Sequence, residues 1–210
     1  IVVPRDTAGL SVRPIGGLLG CRASMLAEVV FEGCRVPESN LLARPGFGVS
    51  HVAQSALDVG RLSIAWGSLG LHRACLEASV GYVRERKQFG VPIAEHALVR
   101  RLITNMYAEF TASRLICLEA AQKREKAAND ALTSVMLAKY YASTAAMRAA
   151  SDAVQLHGAN GCHVEFGVER LFRDAKVAEI IEGSSQIQQL VIGKHVAQAL
   201  DLDLKVGKSL

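Results

Sequence analysis

Aromatic side chains are scarce in this chain: phenylalanine, tryptophan and tyrosine make up 5% of its 210 residues. A core with few large rings must close through many short contacts, and the abundant alanine favours helices packed at close range. No apolar run has the length needed to span a bilayer, and no signal-peptide pattern is legible. Internal repeats and low-complexity tracts are missing too. Net charge is only +4, and the basic residues are dispersed, which excludes a dedicated nucleic-acid surface. The mild positive excess suits a phosphate-bearing ligand. Cysteine pairs at CxxC spacing do not occur. Cys21, Cys34, Cys75, Cys117 and Cys162 are odd in number and scattered, as expected of reduced thiols in a cytoplasmic compartment. Cys162 and His163 adjoin a glycine-rich turn without further Cys or His at ligand spacing, so a buried thiol and a loop imidazole are expected there, and no metal.

Half of the residues are hydrophobic, enough to close one domain, or one domain and part of another. Residues 1–48 read as β structure. Ile1–Val3 and Ala27–Glu32 are short β-rich runs, broken by Gly9, Pro14, Gly16-Gly17 and Gly20 and followed by a connector with Pro37, Asn40, Pro45, Gly46 and Gly48. So few strands cannot close a core, and part of a sheet is expected to be missing. With a first residue other than methionine, the chain reads as the C-terminal portion of something longer.

From Val49 the periodicity turns helical. One helix is expected from about Val49 to Arg86, with Val52, Ala56, Val59 and Ser63 on one face, stopped by Gly90-Val91-Pro92. A second carries Leu98, Leu102, Met106 and Phe110; a third carries Leu132, Met136, Tyr140 and Met147 and ends near His157-Gly158-Ala159-Asn160-Gly161. A short segment holds Val168, Leu171 and Ala175. A final helix, capped by Ser184 or Ser185, carries Ile187, Leu190, Val191 and Val196, and the polar tail after Asp201 is expected to fray. The fold class is thus mostly α, a C-terminal four-helix bundle over residues 49–210 preceded by a partial β domain over residues 1–48.

Glu182 stands in Ile180-Ile181-Glu182-Gly183-Ser184-Ser185-Gln186-Ile187, between β-branched apolar residues and a glycine. A carboxylate placed this way is expected to lose solvent, and its pKa to rise toward that of a general base. Gly183 leaves room for a substrate to approach the backbone.

Four segments occur in order: Arg84-Glu85-Arg86-Lys87-Gln88-Phe89-Gly90, Gln155-Leu156-His157-Gly158-Ala159-Asn160-Gly161, Glu169-Arg170-Leu171-Phe172-Arg173-Asp174-Ala175-Lys176 and the Glu182 segment. Together with Gly20–Ser24, Val36-Pro37 and Asp58-Val59-Gly60-Arg61, they resemble the C-terminal half of the acyl-CoA dehydrogenase family. The resemblance covers nearly all of residues 1–200. It implies an FAD enzyme that oxidises an acyl thioester to its α,β-unsaturated product, with Glu182 taking the α-proton and the β-hydride passing to flavin N5.

The same resemblance places Asp58, Arg61 and Gly183 at the substrate, with Arg61 close to the catalytic carboxylate. Some relatives carry the base at the position of Gly60, which here has no side chain to do so. Arg86, Gln88 and Phe89, and Gln155, Leu156, His157, Gly158 and Ala159, would reach the FAD of a neighbouring subunit. Ser184, Ser185 and Gln186 would meet cofactor beside the base. A homo-oligomer, as a dimer or a dimer of dimers, is therefore implied, with an electron-transfer flavoprotein or an acyl carrier protein as further partners.

Three departures from the family pattern stand out. Ala97 replaces a frequent glutamine at the flavin adenylate, leaving His96 to compensate. Ile181 replaces a frequent tyrosine, which should make the site drier. Ala159 fills the second place of a usual glycine pair. They point toward a specialised relative, one acting on a carrier-protein thioester for example. Two other readings stay open: an oxidase or flavin monooxygenase on the same fold, and a non-catalytic helical assembly module.

Overall fold

The computed structural model describes residues 1–206, and the backbone alone for residues 200–206. Near the start, strand β1 (Leu10–Pro14) pairs antiparallel with β2 (Ala27–Phe31), in a register running from Leu10 opposite Phe31 to Pro14 opposite Ala27. The expectation of a strand at Ile1–Val3 is corrected. That segment meets a loop instead: the Val2 N–H donates to the Asn40 carbonyl at 2.9 Å, and Asn40 Nδ2 returns a bond to the Val2 carbonyl at 3.0 Å. A β-rich run becomes a strand only where a second run lies alongside it, and Leu10–Pro14 holds that place.

A π-helical turn (Gly48–Ala53) leads into α1 (Gln54–Glu85). A two-residue hairpin, β3 (Lys87–Gln88) with β4 (Val91–Pro92), follows; Phe89 and Gly90 at its tip take φ of +53° and +85°. Both central residues have positive φ, the combination found in a type I′ hairpin turn. Then come α2 (Ala97–Glu125), α3 (Ala131–His157), α4 (Val168–Ala178) and α5 (Ser185–Val206). Helix α3 is the hub, packed against each of the other four helices.

The faces differ from the simple periodic reading. On α1 the buried positions are Arg61, Ala65, Ser68, Leu69, His72, Cys75, Ser79 and Val83, whereas Val59 of the expected face is half exposed. Helix α3 presents Ala138, Ala142, Ala145, Ala146, Ala149, Ala150 and Ala153 to its neighbours, all buried. Small residues let helix axes approach closely, so the interfaces are sorted by side-chain size more than by hydrophobicity. Polar groups inside such an interface need partners. His72 finds one in the Met106 carbonyl, to which its Nε2 donates at 2.8 Å. On α5, Ile187, Leu190, Val191 and Val196 are exposed while Gln188 is buried. Cys162 is exposed as well, contrary to the buried thiol expected. The fraying expected after Asp201 concerns residues that lie, wholly or in their side chains, outside those described.

Candidate active site

Glu182 sits in a tight loop between α4 and α5. The Ser185 N–H donates to the Glu179 carbonyl at 3.0 Å and closes the loop at its neck. Glu182 itself takes φ +56°, a left-handed conformation that costs a residue with a Cβ about 1–2 kcal/mol. Gly183 follows at φ +90°, where a Cβ would also crowd Gln188 Nε2 at 2.9 Å. Two successive left-handed residues turn the Glu182 side chain back onto α1. Its carboxyl group rests on Gly60, so closely that a Cβ at that position would meet all three carboxyl atoms. The half-buried Glu182 keeps one oxygen, Oε2, enclosed and without a hydrogen-bond partner among the described residues.

Shielding of this carboxylate comes from α1 and not from its sequence neighbours. Ile180 and Ile181 are both exposed, which corrects the expectation of dry flanks. Arg61, buried at 5% exposure, donates from Nε to the Glu182 carbonyl at 3.4 Å. Its Nη1 is enclosed without a partner among the described residues. Asp58 does not pair with Arg61 one turn away. It takes Arg124 of α2 at 3.0 Å, beside a cavity of about 440 Å³ that also touches His51, Gln54 and Asn129.

Sequence reasoning missed two residues here. Lys139 of α3 is completely enclosed, and its Nζ donates to the carbonyls of Gly183 at 2.7 Å and Glu179 at 3.2 Å. Burial pushes its pKa down to about 8, with Arg61 adding to the fall and the carboxylates of Glu179 and Glu182 opposing it. Gln188 of α5, equally enclosed, donates from Nε2 to the carbonyls of Glu182 at 3.2 Å and Gly183 at 3.3 Å. A lysine inside the apolar run Val135–Ala142 was the available signal. Of the serines, Ser184 accepts the Ile187 N–H as helix cap at 3.5 Å, while Ser185 is buried with its hydroxyl toward the Glu179 carbonyl. Gln186 is exposed.

A second constellation forms where α1 and α3 end. Arg86 and Gln88 converge with Gln155, Leu156, His157, Gly158 and Ala159 around an open cavity of about 290 Å³, which Tyr82, Ile93 and Asn160 complete. Two segments far apart in sequence thus share one wall. The His157 ring is committed inward: its Nδ1 donates to the Ala153 carbonyl at 2.8 Å and the ring stacks on Tyr82 at 4.2 Å. Leu156 is mostly core. Gly158 ends α3 at φ +59°, ψ −136°, a conformation open to glycine. Phe89 lies outside the cavity on the hairpin tip, 93% exposed, with the His96 ring edge-on to it at 6.0 Å. His96 Nε2 is buried without a partner among the described residues.

Residues 48–197 match the family model described as the acyl-CoA dehydrogenase C-terminal domain. The chain belongs to the acyl-CoA dehydrogenase family. It is 40% identical over 195 residues to an acyl-CoA dehydrogenase of Bacillus subtilis, covering 93% of this chain and 51% of that protein. Butyryl-CoA dehydrogenase from Megasphaera elsdenii superposes with a TM-score of 0.88 at 31% identity, over 93% of this chain and 50% of the other. A prolyl acyl carrier protein oxidase, AnaB, superposes at 0.86 with 28% identity, over 92% and 51%. The chain therefore spans about half the length of the relatives it matches. The mostly helical architecture agrees with these structures. No described helix is long and apolar enough to cross a membrane.

Proposed function

We propose that this chain forms the C-terminal part of a flavin-dependent oxidoreductase that removes an α-proton from an acyl thioester, with Glu182 as the base. The observation carrying this reading is the Glu182 carboxylate, turned by a strained backbone onto a bare glycine and left with an unpartnered enclosed oxygen. Strain of this kind persists only where the surroundings over-determine it, and it clusters at sites that act. An acceptor oxygen without a donor is available to a substrate C–H. In this reading backbone N–H groups beside Glu182 would meet the negative charge that builds at a thioester carbonyl. Asp58, Arg61 and Gly183 are the substrate contacts in this reading. Residues 1–48 are read as the end of the family's β domain and 49–210 as its helical domain.

FAD suits the donor set. When bound, it supplies the acceptor for the β-hydride. Arg86 offers a planar fork of N–H groups for a pyrophosphate on the wall that Gly158 and Ala159 share, although the Gly158 N–H is itself used on the Gln155 carbonyl. The cavity is too small for a whole dinucleotide, so this wall would hold only part of one, with Gln88, Phe89, His96, Gln155, Leu156 and His157 around it. Ser184, Ser185 and Gln186 would meet the cofactor beside Glu182. From Arg61 to Arg86 along α1 is about 37 Å at 1.5 Å per residue. That is more than one dinucleotide bridges. That separation supports the reading that Arg86 serves a neighbouring subunit's cofactor in a homo-oligomer, a dimer or a dimer of dimers. Five free cysteines suit a cytoplasmic, reducing compartment.

In the FAD-loaded protein, Glu182→Gln is expected to retain flavin while bleaching by an acyl thioester under anaerobic conditions falls about 100-fold or more. Bleaching at the wild-type rate removes Glu182 from the reaction. The likeness to a carrier-protein oxidase gives substance to a second reading, in which the thioester sits on an acyl carrier protein and oxygen takes the electrons. Hydrogen peroxide production favours it; reduction of an electron-transfer flavoprotein favours a dehydrogenase.

A further inference from the structure

Lys139 is enclosed on all sides in the middle of α3, where a long apolar side chain could fill the same volume. Burying an ammonium is unfavourable unless its donors are used. Here they are used on two carbonyls that stand on opposite limbs of one loop: Glu179 before Glu182 and Gly183 after it. The Ser185 N–H shares the Glu179 carbonyl, and Gln188 Nε2 shares that of Gly183. Lys139 and Gln188 thus converge on the Gly183 carbonyl, Lys139 also holding that of Glu179 and Gln188 that of the left-handed Glu182.

We propose that Lys139 is a positioning residue for Glu182: by tying the Glu179 and Gly183 carbonyls together it holds the loop in the kink that lays the carboxylate on Gly60. The inference rests on the reading of Glu182 as the base. With its pKa near 8, the group still carries its proton at neutral pH and donates to both carbonyls. Glu182 at φ +56° has no intrinsic preference for that conformation. Once the tie is cut, the backbone is free to relax and the carboxylate to leave Gly60. Lys139 touches no reacting atom in this account and acts only through the loop.

Two variants test this in the FAD-loaded protein. Lys139→Met keeps the length and loses the donor; Lys139→Gln keeps an amide that can reach one carbonyl. The limiting rate of anaerobic flavin bleaching is expected to fall about 10-fold or more in the Met variant and less in the Gln variant, a loss of positioning. The thioester concentration giving half the limiting rate is expected to change less than about 3-fold, since uniform binding is untouched. A merely structural lysine would lower thermal stability and leave the limiting rate of the folded protein unchanged. Glu182→Gln, measured alongside, separates the two ideas. If Glu182→Gln is inert while Lys139→Met bleaches at the wild-type limiting rate, the lysine proposal falls and the base assignment stands. If Glu182→Gln bleaches normally, the base assignment falls first. Should the Met variant not hold FAD, the Gln variant decides alone, a wild-type limiting rate overturning the proposal. Loss of FAD from both variants overturns it too, marking Lys139 as a support of the fold.

Discussion

A glycine inside a helix of 32 residues normally weakens it, by about 1 kcal/mol relative to alanine. Gly60 is such a residue, yet the space beside it belongs to the Glu182 carboxyl group, with Oε1 only 2.8 Å from where a Cβ would stand. Stability and activity should therefore part company in Gly60→Ala. Its melting midpoint is expected to equal or exceed that of the wild type, because helix propensity improves and the displaced atoms end a flexible side chain. Flavin bleaching by thioester is expected to slow about 10-fold or more, because the base is pushed from its seat. Equal bleaching rates in the two proteins would show that the seat on Gly60 does not matter. At this scale Glu182 and Arg61 could be named as candidates from motifs that stand intact in the sequence, while the seat that Gly60 offers the carboxyl group could not. Lys139 and Gln188 were not. A polar side chain inside a helix ordinarily reads as a solvated one, and the apolar run around Lys139 does not say which carbonyls its ammonium meets.

Among the elements, α3 decides the packing. Seven of its thirteen buried residues are alanine, and Ala142 belongs to one buried cluster with Ala65, Cys117, Ala120, Val135 and Ala138. Close-packed interfaces of this kind have no space to yield. Ala142→Leu is expected to reduce stability by about 1–3 kcal/mol, read as a lower urea midpoint with an unchanged slope. An unchanged midpoint would mean that the helices can separate without penalty. Helix ends were readable, since Asn129-Asp130, Gly158 and the Ser184-Ser185 pair carry their own chemical signals. Helix faces were not. Val52, Ala56 and Val59 looked like an inner stripe because they are apolar, whereas the buried face of α1 mixes Ala65, Ser68, Cys75 and Ser79 with Arg61, Leu69, His72 and Val83. The Ile1–Val3 run failed for a related reason, since pairing depends on what lies alongside and a single run cannot specify its neighbour.

For the molecule as a whole, two constellations sit near opposite ends of one long helix and neither is a complete cofactor site alone. The Glu182 loop presents an enclosed carboxylate; Arg86 and Ala159 line a separate open cavity. In the proposed homo-oligomer each chain would lend the far end of α1 to a neighbour. The exposed Phe89, at 93%, then has a surface to meet in the assembly. Family membership was legible because residues in several short segments keep their order over most of the chain. The joint geometry was not, because spacing in sequence carries no information on which segments fold against each other.

The proposed removal of a thioester α-proton by Glu182 can be followed by proton exchange, apart from any later electron transfer. An acyl thioester with sulfur in place of the β-carbon has α-hydrogens but no hydride to give. Incubated in D₂O with the assembled FAD-loaded protein, it is expected to gain deuterium at the α-position, read by mass spectrometry, and to gain none above background with Glu182→Gln. Equal deuterium uptake with both proteins would contradict the account.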